Sequence, residues 1–559
     1  MIEEIAVRYS QLDYVEATQV SESNIIVDIN LEGATYTLDV NLSNPFPNTL
    51  PQIKLLKADE HGYLPHVCWK GIVCYNDGEG VSIDYERPID IAVYALDSAT
   101  GVLPKKPNIS LDDFYDEYEG YWNQQNDAVD CQLFFEPGDE TKEIRIVENK
   151  NGMPVSIISS DSAENPTSGY AFYKLRNSNK TEVRGYYLPL EAYVEPPLPG
   201  QKLDLCIMDR VQSSLSPDNL GIWKEFIEKN RLPKRLTLLI SQPRPSGGRS
   251  LFGIKLPPPA LVSWLSQSSY TKPLIPLSIH RHSKSYLVNR GGLAVNVDTT
   301  DMKKVAIIGC GAVGCRIAEL CLTNGLTDLT LIDGDLYSEG NLFRHILDSR
   351  FIGLNKAESL KNMFLGRFPG ISVHAIPKML NNIDDLMKDH DTIIIAVGNP
   401  TVEREFSLQH KRWGGDRRVS LVTTWLEAGG VGGHAVLSTA RTKGCLHCLY
   451  HRDNSATLSS ISALIKPGQI VTKNLTGCGG AFVPYGAIHA AKTATMAVEM
   501  ILETHCDDAS HYDYRFWSSY KQANNTGLKM SSWFNDSFSG NSTDEIRTLL
   551  GEGCPVCRG

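Results

Sequence analysis

Three glycines, Gly309, Gly311 and Gly314, follow the apolar run VAII (305–308) at the spacing G-x-G-x-x-G. After a strand, such glycines let the backbone turn tightly and approach a phosphate, and the next helix points its N–H groups at the anion. Asp333 ends the next apolar run, at a separation suited to a ribose hydroxyl. Alone, this pattern fits a dinucleotide held for hydride transfer. Downstream, however, stand Asp335, Asn341, Arg344 and Lys356. Hydride transfer has no need of both cations. Adenylation does, because negative charge builds on the α-phosphate and on the departing pyrophosphate, and fixed cations stabilise it. The chemistry expected at 305–356 is the splitting of ATP.

Thirteen cysteines are scattered along 559 residues. An odd, dispersed set suits a reducing cytoplasm, metal ligation and thiol chemistry better than a disulfide framework. Cys445 with Cys448, and Cys554 with Cys557, are C-x-x-C pairs, and each can grip one side of a tetrahedral zinc. Their separation exceeds that of a zinc ribbon, and His447 and His451 are alternative ligands. Cys478 lies among glycines just before a long apolar helix, where the helix N-terminus would favour a thiolate. Cys310, Cys315 and Cys321 fall on the helix after the glycine turn and read as packing residues.

The elements that must position these groups follow from periodicity. VAIIG, DLTLID, SVHAIP, TIIIAVG and LVTTWL alternate with helical stretches over 286–559, the pattern of a doubly wound, Rossmann-like parallel sheet, and a long helix follows Gly486. Residues 1–105 read as an α+β unit, with an opening helix, strands NIIVDINL, TYTLDVNL and QIKLLKA interrupted by prolines, and a helix over 90–99. Between them, 106–285 reads as a small α/β or α+β linker domain. Its strands are expected at LDLCIMD, LTLLIS and PLIPLSIH, its helix at IWKEFIEKN, and a Pro/Gly-rich loop at 241–259. The fold class is thus multidomain α/β. A net charge of −11 argues against broad binding of nucleic acid or anionic membrane. No window of ~18 apolar residues suggests a membrane span, and the acidic N-terminus lacks the apolar core of a secretory signal.

The ordered set from Gly309 to Lys356 resembles the ubiquitin-activating enzyme superfamily, whose pattern is G-x-G-(G/A)-x-G, D-x-D, S-N-L-x-R-Q and G-x-x-K-A. The resemblance spans about 300–500. It implies that Gly311 and Ala312 lie against the nucleotide, that Asp333 holds the ribose, and that Asn341, Arg344 and Lys356 contact the phosphates. It implies a zinc bound by both C-x-x-C pairs, the second pinning the C-terminus to the domain, and an acyl thioester on Cys478. One position departs from the pattern. Where the family has Asp-Asn after a later strand, this chain has Gly398-Asn399. The Asn is kept, and magnesium falls to Asp335 or to a group not identified from sequence.

Residues 1–105 resemble a ubiquitin-conjugating enzyme. NPFPNTLP stands for Y-P-F-x-P-P, and Gly71-Ile72-Val73-Cys74 for G-x-I-C, which makes Cys74 the second acyl carrier, with Cys68 beside Trp69 as a competitor. Pro65-His66 replaces H-P-N, so the oxyanion is left to His66, Asn76 or a backbone amide. The whole order is similar to bacterial fusion proteins of CBASS anti-phage operons. That resemblance implies a relay from ATP to Cys478, Cys74 and an amine acceptor. It also implies a cGAS-like nucleotidyltransferase as acyl donor, and a homodimer through the activating domains in which Arg290 reaches the neighbour's ATP. Two rival readings are a carrier-protein adenylyltransferase for sulfur transfer, with a binding-only N-terminal domain, and an NAD-dependent oxidoreductase.

Overall fold

The computed structural model describes the chain apart from residues 63, 69, 77–79, 106–111, 126, 160–180, 198–200, 230–233, 284–285, 288–302, 369, 442, 453–456, 475–480, 504–511, 540–553 and 558–559. The described residues form two compact units, one running to His282 and one from Ser283. No helix among them is long and apolar enough to cross a membrane.

The first unit opens with the helix Ile2–Tyr9 and an antiparallel meander: β1 (Val15–Val20), β2 (Asn24–Leu31), β3 (Ala34–Asn41) and β4 (Gln52–Leu55). Alternation in β2 turns Ile25, Val27, Ile29 and Leu31 to one buried face. β2 and β3 pair from Asn24↔Asn41 to Leu31↔Ala34. Glu32 and Gly33 make the turn at φ 54° and 102°, whose hand matches strand twist. Pro45, Pro47 and Pro51 lie in the connection to β4. The helix Pro88–Val102 adds Ile91, Ala92, Ala95, Leu96 and Ala99 to the core that Ile5 and Tyr9 share with the sheet.

The rest of this unit corrects an expectation. Its strands are β5 (Val129–Leu133), β6 (Lys142–Glu148), β7 (Pro154–Ser159), β8 (Thr181–Pro189), β9 (Leu236–Pro243), β10 (Arg249–Leu256) and β11 (Ile275–Arg281). They close into a barrel in the order β10-β11-β5-β7-β6-β8-β9, a closure that the expectation of a small α/β or α+β unit did not include. One core holds Cys131, Leu133, Ile144, Ile146, Leu239 and Leu277. A second lies between the strands and the helices Tyr118–Asn123, Ile207–Ser213 and Pro217–Glu228. β9 and β10 are therefore buried on both faces and show no alternation. LDLCIMD is not a strand. Asp204 Oδ1 accepts from the Cys206 amide at 3.0 Å, and a helix begins at Ile207. Nor is 241–259 one loop. Gly247 and Gly248, both at positive φ, turn the chain between β9 and β10, so the Pro/Gly cluster marks a hairpin.

The second unit is built on β12 (Lys304–Ile308), β13 (Asp328–Ile332), β14 (Ser372–Ile376), β15 (Thr392–Ile395), β16 (Ser420–Leu426) and β17 (Gly432–Thr439). Two short ribbons, β18 (Tyr450–Arg452) with β19 (Leu458–Ser460) and β20 (Lys473–Asn474) with β21 (Ala481–Phe482), precede the last strand, β22 (Asp513–Ser518). The sheet runs β14-β13-β12-β15-β16-β17-β22, with the first five strands parallel and the last two antiparallel. Side chains of β12 alternate between two cores. Val305 and Ile307 meet the helices Gly314–Thr323 and Ala487–Glu503, and Ala306 and Ile308 meet Met387 and Phe406. The chain leaves β12 toward β13 and β14, then crosses back to β15. That reversal opens a crevice at the carboxyl ends of β12 and β15, where such sheets bind ligands.

Candidate functional site

A cavity of about 320 Å³ lies at that crevice. Gly309, Gly311, Ala312, Asp333, Asp335, Asn341, Arg344 and Lys356 line it, with Lys378, Met379, Ala396, Val397 and Tyr485. The glycines divide the work. A Cβ on Gly309 (φ 91°) would stand 2.6 Å from the Ala396 oxygen, and one on Gly314 would stand 1.8 Å from the Gly309 oxygen. Both positions are needed for the turn itself. A Cβ on Gly311 would meet nothing within 4 Å. Its bareness serves whatever enters the cavity.

Asp333 ties the turn to the sheet. Its carboxylate accepts from the Cys310 amide at 2.7 Å and the Asp335 amide at 2.8 Å. His345 braces the same turn. Its Nε2 lies 2.8 Å from the Cys310 oxygen, and its Nδ1 accepts from the Leu347 amide at 3.1 Å, so the ring is neutral with its proton on Nε2. Burial, with Lys356, Arg316 and Arg344 nearby, lowers its pKa to about 4. Cys310, Cys315 and Cys321 are buried in the adjoining core, and burial pushes their thiols well up. They are packing residues, as the sequence suggests.

The two cations differ. Lys356 begins the helix Lys356–Arg367, which Asn355 caps, and its Nζ sits 2.9 Å from Asp335 Oδ2. Arg344 has no carboxylate partner among the described residues. Its Nε is buried without a hydrogen bond, and its guanidinium lies 5.2 Å from the centre of the Tyr485 ring. Asn341 ends a short capping box, with Oδ1 accepting from the amide and hydroxyl of Ser338. Asn399 does not line the cavity. It caps the helix Pro400–Lys411 through the amides of Thr401 and Val402. Behind it, Glu403 is buried, accepts from the Gly398 amide at 2.9 Å, and is raised to about 7 by burial. Lys378 and Tyr485 escaped sequence reading. Lys378 could have been found from its place just beyond β14, whereas Tyr485, far along the chain, carries no such signal.

Four thiols converge elsewhere in this unit. Cys445 Sγ lies 4.0 Å from Cys448 and 3.9 Å from Cys554, and Cys448 lies 3.4 Å from Cys557. Four sulfurs at ~2.3 Å from one tetrahedral zinc would be about 3.8 Å apart. The Gly444 amide points at Cys557 Sγ, 3.3 Å away, and half-buried Lys411 stands close enough for the four sulfurs to act on its charge. The hydrogen bond with Cys448, burial and the other sulfurs push the Cys445 thiol far up. A dication is what lets such a set ionise. The donor set and spacing fit zinc, and neither His447 nor His451 belongs to the cluster.

In the first unit, residues 66–68 and 70–74 run antiparallel beside β4. Val67 pairs with Val73 and Lys54 with Ile72, and the Cys74 amide donates to the His66 oxygen at 2.7 Å. Gly71 (φ 81°) must be glycine, since a Cβ would come 2.4 Å from the Leu55 oxygen. Cys74 is exposed, and Cys68 half-buried. Although Cys74 reaches solvent, partial desolvation of its sulfur, then Cys68 and Glu117, push its thiol up. Cys478 and Arg290 fall outside the described residues.

Two family models match the chain. The prokaryotic E2 family B model matches residues 5–130, and the ThiF family model residues 293–531. The ATP-dependent ubiquitin transferase-like protein Cap2 of Pseudomonas aeruginosa is 26% identical over 487 residues, covering 83% of this chain and 84% of that protein. Cap2 of Vibrio cholerae is 26% identical over 239 residues, 41% of this chain and 39% of that one. Among solved structures, Escherichia coli MccB with ATP aligns at 17% identity and a TM-score of 0.33, over 47% of this chain and 69% of that one.

Proposed function

We propose that this chain, a bacterial enzyme fusing an E2-like domain to a ThiF-like adenylation domain in the manner of the CBASS type, conjugates a partner protein's C-terminus to an amine. The observation that carries the reading is Arg344, a cation without a carboxylate partner among the described residues, set beside Lys356 in a crevice floored by bare Gly311. The partner's carboxylate attacks the α-phosphorus of ATP. The bond to the β-phosphate breaks, and Arg344 and Lys356 take up the charge on the leaving pyrophosphate. Asp333 orients the ribose. Cys478 then displaces AMP to form a thioester, Cys74 accepts the acyl group by exchange, and an amine, a lysine side chain, takes it as an amide.

The acyl donor in this reading is a cGAS-like nucleotidyltransferase, and two copies of the chain join through their ThiF-like domains with Arg290 facing the neighbour's ATP. Cys445, Cys448, Cys554 and Cys557 hold zinc, which ties the C-terminal segment to the domain. Magnesium accompanying ATP would screen phosphate charge, with Asp335 the carboxylate at hand. Labelled pyrophosphate should exchange into ATP once the donor protein is present, and a gel shift should show conjugates that vanish in Cys74→Ala. Conjugates that survive Cys74→Ala would instead favour sulfur-carrier activation with a binding-only N-terminal domain.

A further inference from the structure

Beside Cys74 stands a group of ionisable side chains that the relay as written leaves unused. The Cys74 amide donates to the His66 oxygen across the loop at 2.7 Å, and the Cys74 thiol lies close enough to Glu117 and Tyr121 for their charges to interact. His66 Nδ1 lies 3.0 Å from Glu117 Oε1, and Nε2 lies 3.9 Å from Asp113 Oδ2. The His66 amide donates to Tyr121 Oη at 2.9 Å and to Glu117 Oε2 at 3.3 Å, and Tyr121 Oη donates to the same Oε2 at 2.7 Å. Glu117, Tyr121 and Asp113 come from the two short helical turns Asp112–Asp116 and Tyr118–Asn123 and the residue between them.

His66 also has left-handed backbone, φ 59°. For a residue that is neither Gly nor Asn this backbone is strained, and such conformations persist where surrounding bonds hold them. Here two bonds to its amide do so. Glu117 fixes the ring through Nδ1–H, which leaves Nε2 as the basic nitrogen, the arrangement that orients an imidazole for proton transfer.

We propose that His66 and Glu117 form a proton-transfer dyad for the Cys74 thioester, His66 as the base that takes the proton of the attacking amine and Glu117 as its positioning residue. The proposal rests on the reading that Cys74 carries an acyl group. An arriving ammonium gives one proton to His66 Nε2, which passes it to solvent. The freed lone pair forms the C–N bond, the C–S bond breaks, and the second proton goes to the departing Cys74 sulfur. Cys68, Asp113 and Tyr121 are the other titratable groups facing the site.

The test loads full-length protein carrying Cys478→Ser with a short Gly-Gly peptide as its mercaptoethanesulfonate thioester. Intact mass, with Cys74→Ser as control, reports the adduct. Lysine and hydroxylamine are then added as acceptors. Lysine arrives as an ammonium, while hydroxylamine is largely uncharged at neutral pH and needs little help in losing a proton. His66→Asn, which tolerates left-handed backbone, should load normally yet lose about 100-fold in discharge to lysine, with hydroxylamine changed less than about threefold. Glu117→Gln should lose about tenfold toward lysine alone. Wild-type lysine rates in both variants, or equal losses with both acceptors, overturn the dyad and leave the relay standing. Absence of any Cys74-dependent adduct in the parent protein overturns the relay, and the dyad with it.

Discussion

Arg344→Ala should separate charge stabilisation from folding more cleanly than any other change in the nucleotide crevice. No carboxylate pairs with this guanidinium among the described residues, its Nε is already out of water without a hydrogen bond, and it lies 5.2 Å from the Tyr485 ring centre. Removing it breaks no ion pair among the described residues. The fold should lose only the cation–π contact, on the order of 0.5–1 kcal/mol, partly returned by the buried donor that disappears. Catalysis should lose far more. A unit charge ~4 Å from a phosphate oxygen at an effective dielectric of ~20 interacts by about 4 kcal/mol, and desolvation of Nε is complete before ATP arrives. Allowing for water that fills the gap, a loss of about 3 kcal/mol is expected, or 100-fold to 1000-fold in turnover. Arg344→Lys keeps the charge and loses the fork, and should recover roughly a tenth of the wild-type rate. Pyrophosphate exchange in the presence of the donor protein reads the rate, and thermal unfolding reads the fold. Exchange within about threefold of wild type, in a protein that melts normally, would refute the role given to Arg344.

Other outcomes follow from neighbouring geometry. Gly311→Ala should fold normally yet bind an ATP analogue at least about tenfold more weakly in calorimetry, whereas Gly309→Ala should fold poorly, because only the latter's Cβ meets protein. Cys448→Ser should abolish stoichiometric zinc in elemental analysis and lower stability by several kcal/mol, roughly the scale of a structural zinc site. His345, lowered from 6.5 to about 4, contributes stability that is complete above 6.5 and lost as pH falls toward 4, up to about 3 kcal/mol. His345→Gln should flatten unfolding free energy in that acid window, and an unchanged slope would sink the assignment. Glu403 has the opposite sign. Raised from 4.5 to about 7, it favours the native state below 4.5 and loses that advantage as pH rises to 7, so Glu403→Gln should gain stability relative to wild type between those values.

The parallel sheet of the second unit was legible because short apolar strands alternating with helices have few other solutions, and the expected strands stand where their runs lie. The barrel was not. β9 and β10 are buried on both faces, so the alternation that announces a strand is missing, and the hairpin turn between them reads as a breaker. Closure is also invisible to local pattern. β5 pairs with β11 across about 150 residues, and nothing in either strand names its partner.

The same division governs the sites. Groups fixed by nearby backbone could be read: the glycine turn, Asp333, Lys356 at its helix start and each C-x-x-C pair. What could not be read is which of them stay available for chemistry, because that depends on partners distant in sequence. Lys356 and Arg344 look alike in the chain. In the fold one pairs with Asp335, whereas the other has no carboxylate partner among the described residues and lies against Tyr485, 141 residues away in sequence, which is why the second carries the sharper prediction. Asn399 matched a pattern yet spends its side chain capping a helix. Beside Cys74, where the sequence leaves His66, Asn76 and a backbone amide open as oxyanion donors, Glu117, 51 residues later, lies 3.0 Å from the His66 ring. A carboxylate on Nδ1 leaves Nε2 to accept a proton, and this favours a base over an oxyanion donor at that position. At both ends of the proposed relay, long-range pairing laid over a locally readable scaffold sets which groups stay available.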